Sequence, residues 1–270
     1  MMFATSDPSS FMPWYLRGNC DALGHVTPVI ADHLSRARLF RLIDQRLSLD
    51  PGTRLDEAFA AIRASLFAAG LIGPERHELM PVRLEPYGAQ LATIDRSALR
   101  ALGLWATKIH VNGLVEAEGT LRPRVWLSRR SASSNAAPLA YDTMIAGGQP
   151  AGASLVETLA KESEEEVGLP RRLSATARKV KDIVVRYESE LGLHREVLAI
   201  YDLSVPATFQ PDHRDGEIVE SALLDWPRFQ AAVDGSLPMK FSSRVVSKDL
   251  LARLGQAAER DRLTSMPKAL

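Results

Sequence analysis

A glycine-rich turn followed by an acidic helix constrains this chain more than any other feature. The turn covers residues 147–152, and the stretch 154–168 behind it combines apolar residues with glutamates. Ser154 and Glu157 form a capping-box pair, which satisfies free amides of a first helical turn. Gly168 supplies a stop, because glycine readily takes the left-handed conformation that ends helices. These signals predict a helix over residues 154–168.

One face of this helix is predicted to dock on a core. Three residues spaced four apart define the face and three more lie beside it: Leu155, Leu159 and Ser163, with Val156, Ala160 and Val167. Such a stripe is typical of an amphipathic helix at a protein surface. The glutamates are expected on the other face.

Three glutamates on that other face are candidate metal ligands. Glu162, Glu165 and Glu166 are three and four residues apart, so their carboxylates meet on one patch. Like charges repel there unless a cation screens them, and oxygen ligands suit Mg²⁺, with Mn²⁺ as an alternative. The backbone carbonyl near Gly147 is a further candidate donor. Glu164 lies about 100° of rotation from each neighbour and is expected to miss the patch. An acidic run is more often a solvated face, but the preceding glycine turn favours a site.

Two further groups of residues are candidate substrate contacts. Arg129 and Arg130 end a predicted strand, where a guanidinium could clamp phosphate oxygens at two points. Alternation places only one of them inward, and a solvated or ion-paired role is equally open for either. Trp14, Tyr15 and Trp105 could stack on a heteroaromatic ring, although burial in a core is the commoner role of large aromatic residues.

Composition narrows the class of partner and compartment. The 270 residues carry 33 basic and 33 acidic side chains, which argues against general attraction to nucleic acid or anionic membranes and favours a small-molecule substrate. A single cysteine, Cys20, excludes an internal disulfide. Residues 1–10 lack a basic start followed by an apolar run, and no apolar run is long enough to span a membrane. A cytoplasmic protein is expected; its oligomeric state is open, with a homodimer as one option.

The coarse pattern predicts two domains. Helices are expected over 31–47, 54–69 (introduced by Pro51, Gly52 and Thr53) and 96–102, and extended segments over 76–86 and 89–94. From Trp105 the pattern changes to strands, at 108–115, 124–130, 180–187, 197–205 and 216–224, with later helices at 226–233 and 247–254. We therefore expect an α+β N-terminal accessory domain over 1–104 and a second domain over 105–270.

The turn and helix resemble the Nudix box, in which a glycine is followed at fixed spacings by glutamates and a closing glycine. The residues at the family's positions are Gly147, Glu162, Glu165, Glu166 and Gly168. Ala153 stands where the family has its first glutamate. Lys161 replaces an arginine, which keeps the charge but loses the two-point guanidinium geometry.

The chain also resembles a narrower branch, the Nudix domains related to the one fused to thiamin pyrophosphokinase. The branch carries an N-terminal accessory domain, and its motifs recur here in order at 13–18, 76–78, 109–114, 126–131, 201–203, 215–217 and 249–255. One departure precedes the box: where the branch has a lysine and a Pro-Gly pair, this chain has Ser134, Pro138 and Leu139, although Asp142 is kept.

The resemblance implies a fold, a site and a reaction. The fold is a Nudix α/β/α sandwich around a mixed sheet. Glu162, Glu165 and Glu166 would hold Mg²⁺, Glu165 and Glu166 would act in catalysis, and Glu217 would serve as base or extra ligand. Without the resemblance, a glutamate that only solvates a turn is the more common role for Glu217. Spacing places Glu217 and Glu220 on opposite faces.

The implied reaction is metal-assisted hydrolysis of thiamin diphosphate, or of its oxidised analogues, to the monophosphate and phosphate. ADP-ribose or another nucleoside diphosphate linked to a second group is the alternative substrate. A non-catalytic Nudix-like ligand sensor is the other alternative, motivated by Ala153, by Lys161 and by the missing lysine near Ser134.

Overall fold

The computed structural model describes residues 3–4, 10–50, 54–117, 119, 122–134, 136–214 and 216–265, with side chains described between 10 and 255. The predicted helix introduction at 51–53 and Asp215 of the predicted motif lie outside the described residues. The chain forms two compact units. The first comprises Met1–Lys108, Gly148–Ser154 and Ile183–Val197, and the second comprises Ile109–Gly147, Leu155–Asp182 and Leu198–Leu270. Compactness does not demonstrate independent folding, so the predicted domains 1–104 and 105–270 stay a prediction.

The first part of the chain contains small sheets and helices. Strands β1 to β7 are Phe3–Ala4, Met12–Leu16, Gly24–Val26, Phe40–Ile43, Arg46–Leu49, Leu79–Val82 and Ala92–Asp95, and helices α1 to α3 are Pro28–Arg36, Leu55–Ala68 and Arg96–Leu99. A four-stranded sheet has the order β3-β2-β5-β4, and β6 pairs with β7. The core centres on Trp14, whose ring lies 5.0 Å from Phe40 and 6.2 Å from Phe59.

The predicted helix over 31–47 is wrong in its second half. Helix α1 begins with Pro28 after the cap residue Thr27 and ends at Arg36. Strands β4 and β5 then form an antiparallel hairpin around Asp44 and Gln45, which both have positive φ. Two successive left-handed residues make a hairpin turn whose twist matches the strands. The predicted helix therefore extended across residues that form this hairpin. Strands β2 and β3 were also absent from the prediction.

A large mixed sheet carries most of the remaining strands. Strands β8 to β14 are Trp105–Val115, Arg124–Arg130, Tyr141–Thr143, Ile145–Gly148, Arg178–Ser189, Gly192–Ser204 and Ile218–Leu224. The order is β1-β12-β13-β8-β9-β10, with β11 on β8 and β14 on β9. Strand β1 is parallel to β12, whereas β9 is antiparallel to β8, β10 and β14. The predicted α+β class with a mixed sheet is confirmed.

Four more helices lie in the described part of the chain. They are α4 Leu155–Val167, α5 Arg171–Ser174, α6 Trp226–Ala231 and α7 Phe241–Ser265, with a π-helical turn at Ala232–Ser236 after α6. The predicted helix at 247–254 is thus only part of a longer one. None of the helices in the described part of the chain combines the length and apolar character that crossing a membrane requires.

Candidate active site

Helix α4 forms where the sequence predicts it. It covers Leu155–Val167, and Gly168 follows with φ 65°, the left-handed conformation of a helix stop. Leu159, Ser163 and Val167 are buried, as the predicted stripe requires. Val156 is 67% exposed, so its predicted place on the docking face is wrong. The buried stripe of α4 lies on the side away from Val156, and it includes a glutamate.

That buried glutamate is Glu166, which was expected on the solvent side with the other carboxylates. It is 2% exposed, and its Oε2 accepts a hydrogen bond of 2.9 Å from the amide of Ala146 in β11. Position 166 is three residues after Ser163 and seven after Leu159, which places it beside the buried stripe. Burial raises the pKa of Glu166 well above its ordinary value, and the nearby carboxylate of Glu162 raises it further. The two carboxylates are therefore electrostatic neighbours, as the helical spacing predicts.

Glu162 packs against the glycine turn. A Cβ on Gly147 would lie 2.3 Å from both Cγ and Cδ of Glu162, closer than real Cβ contacts come. A larger residue at position 147 would therefore displace the Glu162 side chain, in a strand where φ is ordinary. Strand β11 thus meets α4 at two points, the Ala146 amide on Glu166 and the bare backbone of Gly147 on Glu162.

The third carboxylate of the predicted patch has a different partner. The carboxylate of Glu165 forms an ion pair of 2.8 Å with Nζ of Lys161, one turn earlier. The same Nζ lies 3.7 Å from the carboxylate of Glu162. Glu164 is exposed, as its angular position predicts. Lys161, which stands where the resembling family has arginine, thus neutralises part of the acidic patch from within the helix.

The donor set suits a hard cation at Glu162 and Glu166. Both supply carboxylate oxygens, which Mg²⁺ prefers, and a cation would relieve the repulsion that raises the pKa of Glu166. The close contact between Gly147 and Glu162 brings the backbone of β11 beside the carboxylate of Glu162. Among the described residues, no group of three or more His, Cys, Asp or Glu side chains is arranged to hold a metal ion. Glu165 would join Glu162 and Glu166 as a ligand only if its side chain turned away from Lys161.

A loop caps the C-terminal end of α4. The amide of Asp212 donates to the carbonyl of Val167 at 3.0 Å, and the amide of Arg214 donates to the backbone carbonyl of Glu165 at 3.3 Å. The Nδ1 of His213 hydrogen-bonds the carbonyl of Glu166 at 2.9 Å. Histidine near a helix C-terminus satisfies orphan carbonyls. His213 therefore positions the backbone that bears Glu166. The sequence analysis did not identify it, because nothing local relates 213 to 166.

Glu217 lies just beyond this loop. It is exposed, and its carbonyl accepts a hydrogen bond of 2.8 Å from the amide of Ser131. A bulge between Ile218 and Glu220 shifts the register of β14 against β9. Because a bulge inserts an extra residue, simple alternation no longer fixes which faces Glu217 and Glu220 occupy. The role of Glu217 as base or ligand stays a prediction.

The two arginines of β9 have different surroundings. Arg129 is half exposed and lies 3.2 Å from Glu220. Arg130 is nearly buried, donates to the carbonyl of Ala136 at 3.0 Å, and lies 3.6 Å from Asp142. Their exposures differ as strand alternation predicts. Arg129 is the one whose guanidinium is accessible to a phosphate, and substrate binding by either stays a prediction.

Asp142 is the centre of a buried polar cluster. Its carboxylate accepts hydrogen bonds from the hydroxyl of Ser243 and, at 2.6 Å, from Nζ of Lys240. Burial acts to raise the pKa of Asp142, but Lys240, His110 and Arg130 outweigh it and hold that pKa far below the usual range. The cluster joins β10 to the start of α7. It is built by residues about a hundred positions apart, which local sequence patterns cannot reveal.

The two aromatic candidates lie in different environments. Trp14 is 0% exposed, and its indole N–H donates to the carbonyl of Leu102 at 2.9 Å. Tyr15 is partly exposed, with the guanidinium of Arg46 5.0 Å from its ring centre. The burial of Trp14 leaves no ring face open for stacking. Substrate binding by Trp14 and Tyr15 stays a prediction, which this arrangement favours only for Tyr15.

Comparison with known proteins identifies curated relatives. No protein-family model matches the chain. The chain is 32% identical over 209 residues to Nudix hydrolase 24, chloroplastic, of Arabidopsis thaliana, covering 77% of this chain and 57% of that protein. It is 31% identical over 186 residues to Nudix hydrolase 20, chloroplastic, of the same plant, covering 69% of this chain and 49% of that protein. The chain spans about half the length of the curated relatives it matches.

Both relatives are named Nudix hydrolases, which supports the predicted superfamily. The narrower branch stays a prediction. Among solved structures, a protein from Deinococcus radiodurans aligns at 21% identity with a TM-score of 0.46, covering 64% of this chain and 96% of that chain.

Proposed function

We propose that the protein is a magnesium-dependent Nudix pyrophosphohydrolase that cleaves thiamin diphosphate, or its oxidised analogues, to the monophosphate and phosphate. The observation that supports hydrolysis most is the meeting of Glu162 and Glu166 of α4 with β11 at Gly147 and Ala146. The ordered motifs of the thiamin-related branch support the choice of substrate.

The residues of this chain would divide the work. A bound Mg²⁺ would polarise diphosphate oxygens and lower the pKa of water. Glu162, Glu166 and the backbone at Gly147 would hold that ion, with Glu165 joining them on leaving Lys161. Arg129 would bind phosphate oxygens in two-point fashion. Glu217 would accept the proton of the water whose oxygen bonds to phosphorus, as the bridging P–O bond breaks and the electron pair leaves with the monophosphate.

A direct assay tests the substrate. The protein is incubated with thiamin diphosphate, its oxidised analogue, ADP-ribose or nucleoside triphosphates, with and without Mg²⁺. The products are separated by chromatography. Hydrolysis that needs Mg²⁺ and has the highest kcat/KM on the thiamin-type diphosphates is expected. A much higher kcat/KM on ADP-ribose would contradict the thiamin assignment while leaving the superfamily unaffected.

A ligand sensor is the second candidate. Its specific support is that Glu165 pairs with Lys161 and that Ala153 replaces a family glutamate. Tight binding of a diphosphate by calorimetry, with no turnover of any substrate in the panel with Mg²⁺ or Mn²⁺, would favour the sensor over the enzyme.

A further inference from the structure

A strained turn lies between strands β9 and β10. It consists of Ala137, Pro138, Leu139 and Ala140, and the amide of Ala140 donates to the carbonyl of Ala137 at 3.3 Å. Leu139, the third residue of the turn, has φ 60°, and Ala137, the first, has φ 48°. A turn with proline second and a positive φ third favours glycine at the third position, because a β-carbon there crowds the following carbonyl oxygen. Leu139 is therefore held in a conformation that its own side chain disfavours.

The residue at position 139 departs from the branch that this chain resembles. Where that branch has a Pro-Gly pair, this chain has Pro138 and Leu139. Glycine would form the same turn without the steric conflict. The leucine side chain is 44% exposed, so burial in the core offsets only part of the strain. A strained residue whose side chain stays half in solvent is a candidate for a role in function.

Both arginines at the end of β9 hold the turn in place. Nε of Arg129 donates to the carbonyl of Leu139 at 3.4 Å, and Nε of Arg130 donates to the carbonyl of Ala136 at 3.0 Å. The amide of Arg130 also donates to the carbonyl of Ala140 at 3.0 Å, just before β10 begins. These hydrogen bonds fix the backbone on both sides of Leu139, which is the condition under which a strained conformation persists.

The turn combines exposed apolar surface with a candidate phosphate contact. Leu139 exposes its side chain, and its carbonyl contacts the half-exposed guanidinium of Arg129. A guanidinium binds phosphate oxygens at two points, and covering an exposed leucine removes apolar surface from water. The pair therefore suits a ligand that carries a phosphate and an organic ring together.

We propose that Leu139 is a specificity-determining contact for the organic group of the substrate, which it selects by apolar contact while Arg129 binds the phosphate. The proposal rests on the proposed function, because it takes Arg129 as the phosphate contact. The chain keeps leucine in the strained turn because glycine has no side chain that a ligand could cover. A thiamin body and a nucleoside both carry a ring joined to a phosphate, so both belong to this class of ligand.

Thermal unfolding tests the strain without any ligand. Leu139→Gly and Leu139→Ala both remove the apolar side chain, and they differ only in the β-carbon. At an ordinary position the glycine variant is the less stable of the two. At position 139 it should instead melt about 2–4 °C above the alanine variant. A glycine variant that melts at or below the alanine variant would overturn the proposal.

Arg38 provides the matched control for the strain. It is an exposed residue of the other compact unit and has φ 59°. Arg38→Gly should therefore melt above Arg38→Ala, as at position 139, but it should leave ligand binding and hydrolysis unchanged. A loss of binding in Arg38→Gly as large as in Leu139→Gly would overturn the proposal, because relief of strain at any position would then have the same effect.

Calorimetry tests the contact without turnover. Thiamin monophosphate, AMP and inorganic phosphate have no phosphoanhydride bond, so each is titrated with Mg²⁺ present. The unaltered protein should bind one of the two organic monophosphates more tightly than inorganic phosphate, and the tighter one identifies the organic group. Leu139→Gly and Leu139→Ala should each weaken that ligand about fivefold and leave inorganic phosphate within about twofold. Leu139→Met keeps the apolar volume and should retain the affinity.

Two results of the titrations would overturn the proposal. One is equal affinity of the unaltered protein and Leu139→Gly for both organic monophosphates. The other is an unaltered protein that binds neither of them more tightly than inorganic phosphate.

Kinetics separate this proposal from the proposed function. In the hydrolysis assay, Leu139→Gly should raise KM about fivefold and leave kcat within about twofold, because the contact is equally made in the ground and transition states. Hydrolysis with an unchanged KM in Leu139→Gly would overturn the proposal and leave the proposed function in place. An unaltered protein that hydrolyses none of the diphosphates would reject the proposed function, and the titrations would still decide whether Leu139 contacts the organic group.

Discussion

Two buried glutamates in this protein have opposite electrostatic surroundings. Burial raises the pKa of Glu166 on α4, and the neighbouring carboxylate of Glu162 raises it further. Glu196 on β13 has Lys108 and His194, which outweigh burial. The chain thus supplies the counter-cation at Glu196 itself, whereas the charge that suits Glu162 and Glu166 is that of a bound metal ion. The carboxylate pair beside the glycine turn is the basis of the proposed cation site, whereas Glu196 is already compensated by Lys108.

The largest expected effect tests the internal ion pair. Lys108→Met should lower the free energy of unfolding by about 3–5 kcal/mol, because it leaves a buried carboxylate uncompensated. The double variant Lys108→Met with Glu196→Gln should recover much of this loss. Urea unfolding measures both. Lys179→Met, which breaks an exposed pair with Asp182, is the control and should cost about 1 kcal/mol at most. A loss at Lys108 no larger than at Lys179 would show that the pair does not matter.

The next effect concerns catalysis. Glu166→Gln should lower kcat at least about a hundredfold, comparable to losing one strong electrostatic stabiliser. It should not lower the melting temperature, since it removes a charge that Glu162 repels. Glu165→Gln should also lower kcat about a hundredfold, whereas the exposed Glu164→Gln should have little effect. Steady-state kinetics and thermal unfolding measure the series. Equal, small effects at all three positions would contradict the assignment of the metal site.

A smaller effect is expected at the glycine turn. Gly147→Ala places a Cβ 2.3 Å from Cγ and Cδ of Glu162, so that side chain must move. Such overpacking costs about 1–3 kcal/mol, and we expect the Mg²⁺ concentration for half-maximal activity to rise at least about tenfold. Gly73→Ala, where a Cβ meets nothing within 4 Å, is the control. An unchanged Mg²⁺ requirement in Gly147→Ala would separate Glu162 from the metal.

The smallest effect is a pH dependence in the first unit. Burial, Arg195 and Arg186 lower the pKa of His25 from 6.5 to about 4. The unfolded chain therefore binds the proton more tightly, and stability is lost as pH falls from 6.5 toward 4. His25→Asn should reduce the loss between pH 7 and pH 5 by on the order of 1 kcal/mol in urea unfolding. An unchanged slope in His25→Asn would mean that His25 does not contribute.

The sequence alone determined the helix α4, its glycine stop and the positions of Glu162, Glu164 and Glu165 on it. Capping, turn chemistry and helical spacing act over a few residues, so a local pattern is enough to predict them. The same local reasoning was wrong over 37–47, where the chain leaves α1 and forms the hairpin of β4 and β5. It was also wrong for Val156, which is exposed, and for Glu166, which is buried. Which edge of an apolar stripe is buried depends on where the neighbouring core lies, and residue spacing does not contain that information.

Only the tertiary structure decided the contacts between distant residues. Lys108 and Glu196 are 88 positions apart, Asp142 and Ser243 are 101 apart, and His213 reaches Glu166 from 47 positions away. Each of these groups is an ordinary charged or polar residue in its own segment. What sets its protonation and its role is the burial and the partner that folding brings, because electrostatic interactions depend on distance in space and on exclusion of water.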